Sequence, residues 1–210
     1  MLKNVIFYMY FMIPKVVFRY SWYYDEKYRE LHKLSKWKNK KYPSEKQILN
    51  YIKIIEKLWK KDGKKILNEL SKITRLQWKE KNIICYVVGR CAPFSDPLTL
   101  SVYEKYPDYF IDILIHELIH QLFMQNWGDK KSRMTWNYIN KKYKNESFKT
   151  RIHIPLHAIH MYIFLKFFSE TRLKREIKWI SFLPDYKKSW EIVQKEGYKN
   201  IINEFVSRIK

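Results

Sequence analysis

The stretch Pro107-Asp108-Tyr109-Phe110-Ile111-Asp112-Ile113-Leu114-Ile115-His116-Glu117-Leu118-Ile119-His120-Gln121-Leu122-Phe123 decides how this chain is read. Ile111, Leu114, Ile115, Leu118, Ile119, Leu122 and Phe123 follow the i, i+3, i+4, i+7 spacing of a helix through about four turns, and Gly128 ends it. His116 and His120 are four residues apart, so they share one face a turn apart, close enough for both imidazoles to reach one metal ion. Glu117 is turned about 100° from His116, which sets its carboxylate beside such an ion rather than on it. A general base that takes a proton from an activated water belongs at that place. These residues occupy the polar stripe of an otherwise apolar helix and are expected to be buried groups that need partners. The competing reading makes His116 and His120 core histidines satisfied by backbone or carboxylate groups.

Asp112 lies one turn before His116 on the same stripe. It is either an acceptor for the non-ligating nitrogen of His116, fixing its tautomer, or an ordinary helix-surface acid. A third ligand is required, and five of the six histidines (116, 120, 153, 157 and 160) fall between Asp112 and Tyr162. In Arg151-Ile152-His153-Ile154-Pro155-Leu156-His157-Ala158-Ile159-His160, Pro155 suits only a first helical turn. The helix is therefore expected to begin near Ile154, with His153 at its cap and His157 the first histidine well inside it. His157 is the expected third ligand, with His153 and His160 as alternatives. His160 or Tyr162 would then be candidates to stabilise a developing oxyanion.

Working outward, Asn82 opens the apolar, β-branched run Ile83 to Val88, which suits a buried strand stopped by Gly89. Leu98, Leu100 and Val102 alternate with Thr99, Ser101 and Tyr103, the pattern of a half-buried strand with one wet face. Ser44 and Gln47 have capping-box spacing, and Ile48, Ile52, Ile55 and Trp59 then recur on one helical face. Asp62-Gly63 is expected to break this helix, with a second one carrying Ile66, Leu70 and Ile73. Trp22 to Trp37 reads as an aromatic and basic connection. Beyond Gly128, helices are expected at about 132–143, 154–168, 185–196 and 199–209. Helices, a small sheet, then helices imply a mainly helical α+β fold.

At 210 residues with 46% hydrophobic content the chain can bury one sizeable core, and no linker-like or repeated stretch divides it. A single domain over residues 1–210 is expected. The apolar start, Val5 to Ile13, follows a basic Lys3 but is broken by Pro14-Lys15, continues as Val16-Val17-Phe18 and lacks a small-residue cleavage site. It is too short for a bilayer, which needs about 20 apolar residues, so buried β-structure and no transmembrane segment are expected. Cys85 and Cys91 have neither redox-pair nor zinc-knuckle spacing, which points to reduced thiols and a cytoplasmic location. The formal charge of +21, from 42 Lys+Arg against 21 Asp+Glu, would attract nucleic acid or an anionic membrane surface. No compact basic motif accompanies it, and the lysines are spread along the chain, so nucleic acid is not the favoured partner.

The motif and its setting resemble the zincin zinc metallopeptidases, and the order strand, edge strand, motif helix, second ligand-bearing helix over about Asn82 to Phe168 resembles a small gluzincin-like fold. The metzincin continuation is excluded, because it needs Gly at position 123 and His at 126, where this chain has Phe123 and Asn126. A gluzincin takes its third ligand as Glu from the second helix, and no glutamate here is suitably placed. A histidine in that role is also seen in SprT-like proteases that act on proteins crosslinked to DNA, a role the basic charge would suit. The resemblance implies a peptide or protein substrate, held along Leu98 to Tyr103 as an edge strand, and Zn2+ held by His116, His120 and His157 with Glu117 as general base. The rival from another class is a basic binding protein, for nucleic acid or a membrane surface, whose zinc is structural.

Overall fold

The computed structural model describes residues 12–35 and 38–209. In chain order it contains β1 (Lys15–Arg19), α1 (Trp22–Leu34), α2 (Glu45–Thr74), β2 (Asn82–Val88), β3 (Phe94–Ser95), β4 (Leu98–Ser101), α3 (Pro107–Gln125), α4 (Lys130–Lys142), α5 (Phe148–Phe167), α6 (Glu170–Ile180), α7 (Pro184–Glu196) and α8 (Tyr198–Val206). The fold is α+β and mostly helical, with one four-stranded mixed sheet of order β1-β2-β4-β3. Among the described residues no helix is long and apolar enough to cross a membrane.

β1 pairs with β2 and β2 with β4, both parallel, while β3 runs antiparallel to β4. The β-structure expected near the N-terminus is present at Val16-Val17-Phe18, where Val16 lies opposite Ile83 and Phe18 opposite Cys85. The part of that expectation on residues 5–11 lies outside the described residues. β2 forms over the expected run. β4 is not the edge strand expected: β2 and β3 flank it and all four of its residues are buried. Two residues of β3, which no alternating pattern announces, cover Leu98 and Thr99.

The Ser44 capping box is formed, with the Ser44 N–H donating to Gln47 Oε1 at 2.8 Å and the Gln47 N–H to Ser44 Oγ at 3.4 Å. Asp62-Gly63 does not break the helix, which runs on to Thr74 and stops where Arg75 adopts a left-handed φ of 59°. Gly63 serves packing instead: a Cβ there would lie 2.3 Å from Cε2 of Trp59, whose ring folds back over the helix backbone. The aromatic stretch expected to be a connection is α1, tied to the sheet through buried Asp25, which accepts from the Gly89 N–H and from Tyr42 Oη, each at 2.7 Å.

α3 is buried on nearly every side, as a helix that is apolar all round must be. α5 packs against α2, α3, α6, α7 and α8, and residues 153–160 are all buried. It begins at Phe148, earlier than expected, because Ser147 caps it by accepting from the Thr150 N–H at 3.0 Å. Pro155 is consequently inside the helix. An interior proline costs about 3 kcal/mol in lost hydrogen bonding and steric clash, and burial of Ile154, Leu156, Ala158 and Ile159 around it offsets that. This shift moves His153 from a cap to the second turn of a core helix.

Candidate metal centre

α3 and α5 pack against each other and bring His116, His120 and His153 together, with one potential ligand nitrogen from each within 4.8 Å of the others. Their ring centroids are 5.0–5.4 Å apart. The third member of this close set is His153, not the expected His157. The reason is the earlier start of α5, which gives His153 a fixed helical direction toward α3 and carries His157 one turn farther along.

His153 is prepared for coordination. Its Nδ1 lies 2.7 Å from the Lys149 carbonyl, one turn back, so Nδ1 carries the proton and donates. Nε2 is left unprotonated, buried and without a hydrogen-bond partner. A buried orphan lone pair is costly unless something occupies it, and a metal cation is such an occupant. Burial pushes the pKa of His120 down to about 3 and that of His153 down to about 4, and carries His116 well below its usual value. All three are neutral at pH 7, the form that binds metal. Three neutral imidazoles converging from two helices could hold one transition-metal ion.

Glu117 is also buried, and burial alone raises its carboxyl pKa to about 8. Its charge is among the influences that lift the Tyr186 hydroxyl to about 12, after burial of that hydroxyl. Tyr186 comes from the first turn of α7, and no feature of the sequence marks it. Its ring lies 4.2 Å from His153 and is stacked at 5.8 Å on His116. Asp185 positions it, because its carboxylate accepts from Ser147 Oγ and from Thr150 Oγ1 and so pins the start of α7 to the start of α5.

His157 is fully buried, with Nδ1 2.7 Å from Ser189 Oγ and its ring stacked on Trp190 at 4.2 Å. The Ser189 hydroxyl donates to the Tyr186 carbonyl, so His157 Nδ1 is the donor to Ser189. His160 is equally enclosed, edge-on to Phe164 at 4.5 Å. Tyr162 is not at the site: its hydroxyl donates to Glu69 Oε1 at 2.7 Å, toward α2. Asp112 does not orient His116 either. It is clamped by Arg172 Nε at 2.7 Å and Arg175 Nη2 at 2.9 Å, from the helix α6 that the apolar pattern leaves unassigned. Burial still holds the Asp112 carboxyl up, at about 6, against the pull of both arginines. Cys85 and Cys91 are both free thiols.

No protein-family model, curated protein or solved structure matches this chain. The geometry of the site therefore carries the functional argument.

Proposed function

We propose that this protein is a zinc-dependent hydrolase of peptide bonds, with His116, His120 and His153 holding the ion and Glu117 as the group that moves the proton. The observation that carries the reading is the convergence of three neutral imidazoles from two helices, with a buried carboxylate one residue along from the first. The choice of a peptide substrate rests on the resemblance of the motif to zincins.

A bound zinc ion would supply Lewis acidity, polarising a carbonyl and lowering the pKa of a water toward neutrality. The Glu117 carboxylate takes a proton from the attacking water and later delivers it to the leaving amine nitrogen. Burial raises the carboxyl pKa of Glu117 to about 8 without a metal, and a cation held by the neighbouring histidines would draw it back toward the ionised form that accepts a proton. Tyr186 keeps its proton at neutral pH and offers an O–H donor over the ligand histidines for charge building on the carbonyl oxygen.

The test is elemental analysis of protein purified without added metal, alongside cleavage of a mixed peptide pool. About one zinc per chain is expected in wild type and in Glu117→Gln, with cleavage in wild type alone. Undiminished turnover in Glu117→Gln would remove that residue from the mechanism.

A further inference from the structure

His120 and His153 do more than face each other. They also form one wall of a cavity of about 410 Å³, whose other walls include Phe123, Trp127, Trp136 and Ile152. A pocket that shares two residues with the histidine trio lies within one side chain's reach of whatever the trio acts on. A second cavity, of about 360 Å³, shares no residue with the trio and is bordered by Glu80, Asn82 and Asp96.

The floor of the first pocket is built of packed aromatic rings. Phe123 and Trp136 are buried and meet edge to face at 5.2 Å, and Trp127 leans on Trp136 at 5.6 Å. The rim is apolar and wet, with Phe148 60%, Trp127 48% and Met124 41% exposed. A preformed apolar pocket ringed by exposed apolar side chains gains by burying an apolar group of matching size. Its charged residue is Lys149, whose ammonium sits 4.9 Å from the Tyr186 ring, and no acid lines the pocket. A cationic guest would meet a like charge and no counter-ion.

We propose that this pocket binds a bulky apolar side chain, aromatic or long aliphatic, of the peptide to be cut, and rejects lysine and arginine. The proposal rests on the hydrolase reading for its peptide and on the pocket alone for its selectivity. A substrate carrying Phe, Trp, Leu or Met beside the scissile bond is cut about 10–100-fold faster than its alanine counterpart, from the burial of that side chain.

Two measurements on the full chain separate the claims. In the first, N-acetyl-L-phenylalaninamide is titrated into zinc-free and zinc-loaded protein while the indole N–H signals of Trp127 and Trp136 are followed by NMR. The alanine and lysine amides serve as controls. The phenylalanine probe alone should move both signals, and Ile152→Trp, which fills the pocket from its half-exposed side, should abolish the response. Phe148→Ala, at an exposed position that does not threaten the fold, should weaken it. In the second, an unbiased peptide mixture is digested by zinc-loaded protein and the residues flanking each cut are counted. No response of either indole to the phenylalanine probe, or cleavage indifferent to the flanking residue, overturns the pocket assignment. Indole shifts with no peptide cut under zinc sustain the pocket and overturn the hydrolase reading instead.

Discussion

Replacing His153 and His157 by alanine, one at a time, should produce opposite profiles in two assays. His153 contributes one of three nitrogens in the close set, and its ring is held by the Lys149 carbonyl and the Tyr186 ring. Zinc held by four protein ligands is worth about 10–16 kcal/mol, so one ligand is worth about 3–4 kcal/mol, or about 10²–10³-fold in Kd. That is the loss expected for His153→Ala; in the metal-free protein the cavity it leaves is partly offset by removing the buried, unpartnered Nε2. His157 contributes no nitrogen to the close set, but it fills a fully buried site between Ser189 and the Trp190 face. Removing it leaves a cavity beside Trp190 and takes one donor from the Ser189 hydroxyl, which should destabilise the metal-free protein by about 2–4 kcal/mol. Zinc affinity should then change by less than about tenfold. Chelator competition reads the first quantity and urea denaturation of the metal-free protein reads the second. A folded His157→Ala protein that loses zinc as severely as His153→Ala would refute the assignment and restore His157 to the ligand set.

Three further outcomes follow from the same geometry. Tyr186→Phe keeps the ring over His153 but removes its O–H, so zinc stoichiometry should hold while kcat falls about 10²-fold, and an unchanged kcat would discard the donor role. Gly63→Ala gains about 1 kcal/mol of helix propensity but drives a methyl into the Trp59 ring at a cost of about 1–3 kcal/mol. Urea melts should therefore show net destabilisation in wild type and stabilisation in a Trp59→Leu background, and the same sign in both would refute the packing argument. Glu176 is buried, and that burial, reinforced by Asp112 and opposed by Arg175 and Arg172, raises its carboxyl pKa to about 8. Its folded value exceeds its unfolded one, so its contribution is full below about pH 4.3 and is lost as pH rises to about 8. Glu176→Gln should flatten that decline, and an equal stability difference from wild type at pH 5 and pH 8.5 would show that Glu176 does not titrate in this window.

Period and spacing alone made β2, the capped start of α2, the long apolar helix α3 and the mostly helical C-terminal half legible. These are local properties: a run of β-branched residues, a Ser-Gln pair three apart, a 3.6-residue repeat. Where local signals failed, a distant partner had overruled them. Gly63 looked like a break, but Trp59 needs the absent Cβ, so the helix continues. Pro155 suggested a helix start near Ile154, but the Ser147 cap sets the start at Phe148, six residues earlier, and the surrounding core tolerates an interior proline. β4 looked like a strand with one wet face, but β3 and Tyr24, whose hydroxyl lies 3.0 Å from Thr99 Oγ1, cover it.

The candidate site divides in the same way. The sequence by itself determined that His116, Glu117 and His120 share a turn of one helix, because helical geometry places residues four apart on one face, and narrowed the histidine that joins them to those of a later segment. Only the tertiary structure set His153 rather than His157 closest to His116 and His120, brought Tyr186 onto the histidines and turned Asp112 away toward Arg172 and Arg175. Those choices depend on where α5, α6 and α7 begin and how they lie against α3. That packing is settled by caps and buried contacts between residues far apart in the chain, and no window of sequence contains it.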